Sequence, residues 1–209
     1  MGQPRRVIGV DLDNTIINYD DSCHGLAVIQ GWLPRETAVS KRAVRDALRA
    51  QPDGEMRWRR LQAWIYGPRM DLAQPMPGAL HFLRACREAN VEVRIVSHKT
   101  RFANAFDTGV DLRQAALGWL ESQGFLSGSD GPLKPEDVWF ESDRSAKGRR
   151  IAALGCELFI DDLDEVFSDA SFPAGVGKIL LTSTVPRKRE PGVVVCAHWR
   201  EITEHVLSA

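Results

Sequence analysis

Asp11 and Asp13 stand one residue apart just past a short apolar run, Val7–Val10. Two carboxylates so spaced can converge on one metal ion or one reacting group. They can equally be a capping turn, since acidic pairs at strand ends are common. Ser97 closes a second apolar run, VEVRIV, where a hydroxyl can donate to a phosphate oxygen. The plain alternative is a turn or helix-capping serine. Lys147 opens a helical stretch, where it is either a site ammonium or a solvated surface lysine. Asp161 and Asp162 follow a third run, ELFI. Adjacent carboxylates at a buried strand end repel one another unless a cation or positive side chain lies close.

These residues need rigid elements to hold them. The β-branched runs at 7–10, 91–96 and 157–160 read as buried parallel strands, with 178–181 and 193–195 as two more and 138–140 as a short addition. Between them lie helical patterns at 79–89, 111–123 and 145–154. The first starts after Pro77-Gly78, and the other two are stopped by Gly124 and Gly155. Strands alternating with helices predict an α/β fold: a Rossmann-like three-layer sandwich with a central parallel sheet. Ligands of such sheets bind at the carboxyl ends of the strands, where three of the runs turn polar or acidic.

One stretch breaks the alternation. Between Ile16 and Pro75 no strand is evident, and 37–50 and 55–66 read as two helices joined by the turn Gln51-Pro52-Asp53-Gly54. The expected division is a catalytic core of residues 1–17 and 74–209 with a small α-helical cap inserted at 18–73.

Composition narrows the class. The formal net charge of -1 gives no global field for nucleic acid or an anionic membrane. No apolar stretch approaches the roughly 20 residues a membrane helix needs, and the N-terminus lacks a signal-peptide pattern. The four cysteines show no CxxC pair and no zinc-ligand spacing. A cytoplasmic protein with reduced thiols is expected. Gly177-Lys178 lacks the glycine spacing of a nucleotide-binding P-loop. A two-component receiver domain would place its lysine after all the acids, whereas Lys147 precedes Asp161 and Asp162.

The order of the features is more specific than any one of them: DxDxT at a strand end, Ser at a strand end, Lys at a helix start, DD at a strand end. This order resembles the four motifs of the haloacid dehalogenase (HAD) superfamily, from about residue 5 to about residue 182. The resemblance implies that Asp11 is the nucleophile, forming an aspartyl-phosphate, and that Asp13 is the general acid and then the base. It implies that Ser97 and Lys147 hold phosphoryl oxygens, with Thr15 grouped with them and expected to bond within the loop. Mg²⁺ would be held by Asp11, the backbone carbonyl of Asp13, and the pair Asp161 and Asp162, with Asp162 favoured as the direct ligand. An acid at position 13 points to phosphatases and phosphomutases, because dehalogenases of this superfamily lack one there. The last motif reads DDLDE, so Asp164 and Glu165 are further acids. Lys134 in LKPED and Lys99 beside Ser97 are rivals to Lys147.

The insertion falls where this superfamily carries its smaller cap, which goes with small-molecule substrates. Arg57 on the second inserted helix, and His98 and Lys99 after Ser97, are candidate substrate contacts. The expected activity is Mg²⁺-dependent hydrolysis of a small phosphate monoester, a sugar phosphate or a nucleoside monophosphate. A phosphomutase or phosphotransferase, and a non-catalytic binding protein on the same scaffold, are the alternatives.

Overall fold

Short apolar runs pair in parallel when the chain crosses back between them, and the central strands of such a sheet are buried on both faces. The computed structural model describes residues 5–103, 106, 108–126, 131–184 and 191–208. Its strands in chain order are β1 (Val7–Val10), β2 (Ile17–Asn18), β3 (Gln74–Pro75), β4 (Glu92–His98), β5 (Val138–Glu141), β6 (Leu158–Asp161), β7 (Gly177–Leu181) and β8 (Val193–Cys196). Its helices are α1 (Asp20–Ile29), α2 (Lys41–Arg49), α3 (Gly54–Ile65), α4 (Ala79–Glu88), α5 (Leu112–Ser122), α6 (Arg144–Ala153), α7 (Asp164–Phe167) and α8 (Trp199–Leu207). The chain divides into two compact units. One holds Met1–Ile16, Pro75–Lys99 and Glu121–Ala209; the other holds Ile17–Gln74 and Thr100–Leu120.

The first unit carries a six-stranded sheet of order β5-β4-β1-β6-β7-β8. Every neighbouring pair is parallel. From β1 the chain builds outward through β4 and β5, then returns to place β6, β7 and β8 on the other side. β1 is therefore the point where strand order reverses, and such a point leaves a crevice at the carboxyl ends. The sheet centre is fully apolar: Ile8, Val10, Ile95, Phe159, Ile160 and Ile179 are completely buried. Ile151 of α6 and Val166 and Phe167 of α7 cluster with Val96, Phe159 and Leu180. α4 and α8 pack together, with Phe82 against Trp199 at a ring separation of 4.8 Å. This is the sheet flanked by helices that the alternation predicts.

The second unit is helical. Ser40 caps α2 by accepting from the Ala43 N–H at 3.1 Å. The turn at 51–54 is tight: Asp53 has φ of 58°, and a Cβ on Gly54 would lie 1.8 Å from the Leu48 carbonyl oxygen. α3 buries Trp58, Leu61 and Ile65, while Trp64 stacks on Trp32 at 5.6 Å. Two features depart from the sequence expectation. α1 was not foreseen, because Cys23, Leu26 and Ala27 make a short buried face and Tyr19 supplies no side-chain cap. The unit contains the whole 18–73 stretch but also takes in Thr100–Leu120, which the sequence reading left with the sheet. The bond from Trp119 Nε1 to the Ala73 carbonyl, at 3.1 Å, is one tie that accounts for this. Two-residue strands β2 and β3 also pair where no strand was evident. Among the described residues, no helix is long and apolar enough to cross a membrane.

Candidate active site

Register sets the site. Val10 stands level with Ile95 on one side and Ile160 on the other. Asp11 and Asp161 are thus the next residue along their strands, and Ser97 comes two beyond Ile95. The Asp11 N–H donates to the Ile160 carbonyl at 2.8 Å, which continues the ladder one step and fixes the backbone of Asp11. After Leu12 the chain turns. Asn14 takes φ of 63°, a left-handed value that asparagine tolerates better than most residues. The Ile16 N–H closes the turn on the Leu12 carbonyl at 2.9 Å.

Lys147 reaches this point from the first turn of α6, which starts where Asp143 accepts from the Ala146 N–H at 2.7 Å. Its Nζ lies 2.6 Å from Asp11 Oδ1 and 2.7 Å from Asp161 Oδ2, over the Phe159 ring. Asp161 Oδ1 accepts from the Leu163 N–H at 2.9 Å. All three side chains are almost wholly buried. Burial would lower the Lys147 pKa, but Asp11 and Asp161 together raise it above the ordinary lysine value. Burial pushes the Asp11 carboxyl up to about 7, with Lys147 opposing and Asp161 and Asp13 adding to the rise.

Of the rival lysines, Lys134 lies before β5, at the opposite edge of the sheet, where its N–H donates to Asp137. Lys99 is buried, with Nζ 2.8 Å from Asp13 Oδ2 and 3.0 Å from Oδ1. The Thr15 hydroxyl donates to Asp11 Oδ2 over a long 3.4 Å, within the loop. Ser97 is buried at the end of β4. His98 alternates to the other face of the strand, with Nε2 3.1 Å from the Ser142 carbonyl. Burial holds its pKa below the usual histidine value, although the Ser142 carbonyl pulls it up. Arg57 belongs to the helical unit and donates to Gln51 Oε1 at 2.8 Å. Asp164 and Glu165 are exposed in the first turn of α7.

Asp11, Asp161 and Asp162 each offer a carboxylate oxygen, all within 4.8 Å of one another. These are hard oxygen donors of the kind Mg²⁺ takes. The charge balance fits as well. Asp11 and Asp161 share the Lys147 ammonium and Asp13 pairs with Lys99, so this part of the site gathers more carboxylates than ammonium groups, a balance that a divalent ion would offset.

The sequence reading missed Trp199. This fully packed side chain donates from Nε1 to the Thr15 carbonyl at 2.9 Å and so braces the acidic turn. Nothing local marks it, because it sits 184 residues away. Trp199→Phe leaves that buried carbonyl without its donor. Urea unfolding should register a loss of about 1–3 kcal/mol.

No family model matches the sequence, and no curated protein matches it. Solved structures do. A haloacid dehalogenase-like family hydrolase from Xanthomonas campestris superposes with a TM-score of 0.54 at 14% identity, covering 99% of this chain and 96% of that one. The HAD-hydrolase YfnB from Bacillus subtilis, bound to magnesium, gives 0.55 at 14% identity over 99% and 100%. An L-2-haloacid dehalogenase gives 0.55 at 15% identity over 98% and 100%. The chain has the HAD-like fold, the α/β architecture of the HAD-superfamily hydrolases.

Proposed function

We propose that this chain is a Mg²⁺-dependent hydrolase of small phosphate monoesters, working through an aspartyl-phosphate on Asp11. The observation that carries the reading is the joint placement of Asp11 against Lys147 and Asp161 with Asp13 ionically held two residues on. Asp11 supplies the nucleophilic oxygen. As its bond to phosphorus forms, the bond to the leaving oxygen breaks, and Asp13 gives that oxygen a proton. A water oxygen then attacks phosphorus, its proton passes to Asp13, and the Asp11–phosphorus bond breaks to return the carboxylate. Lys147 and Ser97 hold phosphoryl oxygens and offset developing charge. Mg²⁺ on Asp11, the Asp13 carbonyl and Asp162 would neutralise the phosphoryl group when bound. Asp162 is assigned as the direct ligand and Asp161 as its support, with Asp161 accepting from Lys147 and from the Leu163 N–H.

The helical unit is assigned the cap role, reading the leaving group of a sugar phosphate or nucleoside monophosphate. A small-molecule substrate, with no nucleic acid or membrane partner, suits the near-neutral charge. Four buried free thiols suit the reducing cytoplasm.

Several structural neighbours are dehalogenases, and a haloacid is the competing substrate. Asp13 argues against it, since displacing a halide needs no proton donor at the leaving atom. The test is a panel of phosphate monoesters and 2-haloacids with Mg²⁺ and with chelator. Free phosphate appearing only with Mg²⁺ is expected. Halide release without phosphate release would overturn the reading, and an isomerised phosphate ester without free phosphate would make the enzyme a mutase.

A further inference from the structure

Among the described residues, only two lysines are buried, and the mechanism above uses just one of them, Lys147. The other, Lys99, is 4% exposed. Taking an ammonium out of water is unfavourable unless it is paired, and Lys99 is paired with the carboxylate of Asp13. Its own backbone is rigid, because the Lys99 N–H donates to the Glu141 carbonyl at 3.0 Å and prolongs the β4–β5 ladder. Asp13 lies beyond β1, just before the turn at the left-handed Asn14, and its carboxylate is ion-paired with Lys99.

We infer that Lys99 is the positioning residue for Asp13, holding its carboxyl where a proton can pass to the leaving oxygen. This rests on the phosphatase reading and reassigns Lys99 from a contact with substrate to a contact with the proton carrier. The geometry allows it in both half-reactions. Nζ reaches both oxygens, at 2.8 and 3.0 Å, so one can keep the Lys99 bond while the other carries or receives the proton. Lys99 itself neither gives nor takes a proton. The proton leaves Asp13 for the departing oxygen as the phosphorus–oxygen bond breaks, and it is regained from the attacking water.

The test compares leaving groups. An alkoxide needs protonation as it departs, whereas p-nitrophenolate leaves as a stable anion. The kcat/KM for each covers only steps up to leaving-group departure. In Lys99→Met, kcat/KM for the best alkyl ester of the panel should fall about 100-fold or more, and that for p-nitrophenyl phosphate by less than about 10-fold. Lys99→Arg, which retains the ion pair, should restore most of the selectivity. Equal losses on both esters, or a rise in KM with kcat kept, would overturn the assignment. Should the methionine variant not fold, Lys99→Gln carries the same expectation; failure of both to fold would make Lys99 a stability residue and overturn the role. A wild-type protein inactive on every ester sinks the phosphatase reading and this inference with it. An active wild type whose variants keep the alkyl-to-aryl ratio sinks this inference alone.

Discussion

Asp11→Asn is expected to lower Mg²⁺-dependent phosphate release by about four orders of magnitude or more while leaving the protein folded. Asparagine has the shape of aspartate, and its amide oxygen can still accept from Lys147. What it lacks is a carboxylate lone pair able to form an acyl phosphate. The fold should tolerate the change because the wild-type carboxyl is held at an energetic disadvantage. Burial, Asp161 and Asp13 together push it up to about 7 against the pull of Lys147. A neutral side chain relieves that strain, and Lys147 keeps Asp161 as its ionic partner. Phosphate release and the thermal unfolding midpoint, measured on one preparation, check both halves. Acid-quenched wild-type protein should carry a phosphoryl group that the variant lacks. Full turnover in a folded Asp11→Asn protein would remove Asp11 as the nucleophile.

What could be read in the chain beforehand was what local patterning carries. Val7–Val10 and 157–160 announce buried strands, so the acids that follow them stand at strand ends. Lys147 was legible because a helix start before an acidic strand places an amine near its end. Other features depend on contacts across long separations. Lys99 and Asp13 are 86 residues apart, and only the fold brings them together. A partial signal existed: Ser97 and Lys99 alternate with His98 along one strand direction, which puts Lys99 on the Ser97 side and His98 on the other. The grouping of Thr100–Leu120 with the helical unit left no mark in periodicity. An amphipathic helix shows that it has an apolar face, not which surface covers that face.

Lys147→Met should give the second large effect, and its size should depend on pH. Lys147 is the only positive side chain bonded to Asp11 and Asp161 among the described contacts. Methionine fills much of the same volume but leaves two nearly buried carboxylates without their counter-charge. Removing one partner from such a buried set costs about 3–5 kcal/mol. The sign of the pH dependence follows from Asp11. Its folded pKa is already raised above the ordinary aspartate value, and losing the opposing Lys147 raises it further. An acid with a raised folded pKa binds more protons folded than unfolded, so its contribution to stability falls as pH climbs from the unfolded value toward the folded one. The variant should therefore lie closest to wild type near pH 5 and furthest below it near pH 8, as read by metal-free urea titrations at the two pH values. On the proposed mechanism catalysis suffers separately, because the donor assigned to the phosphoryl oxygens is gone. At pH 7 with saturating Mg²⁺, kcat should drop by about 10²–10³-fold. A deficit that grew toward acid instead would show that the ammonium is not what opposes the upward shift of Asp11. The fold would then have to hold the acidic cluster by another contact.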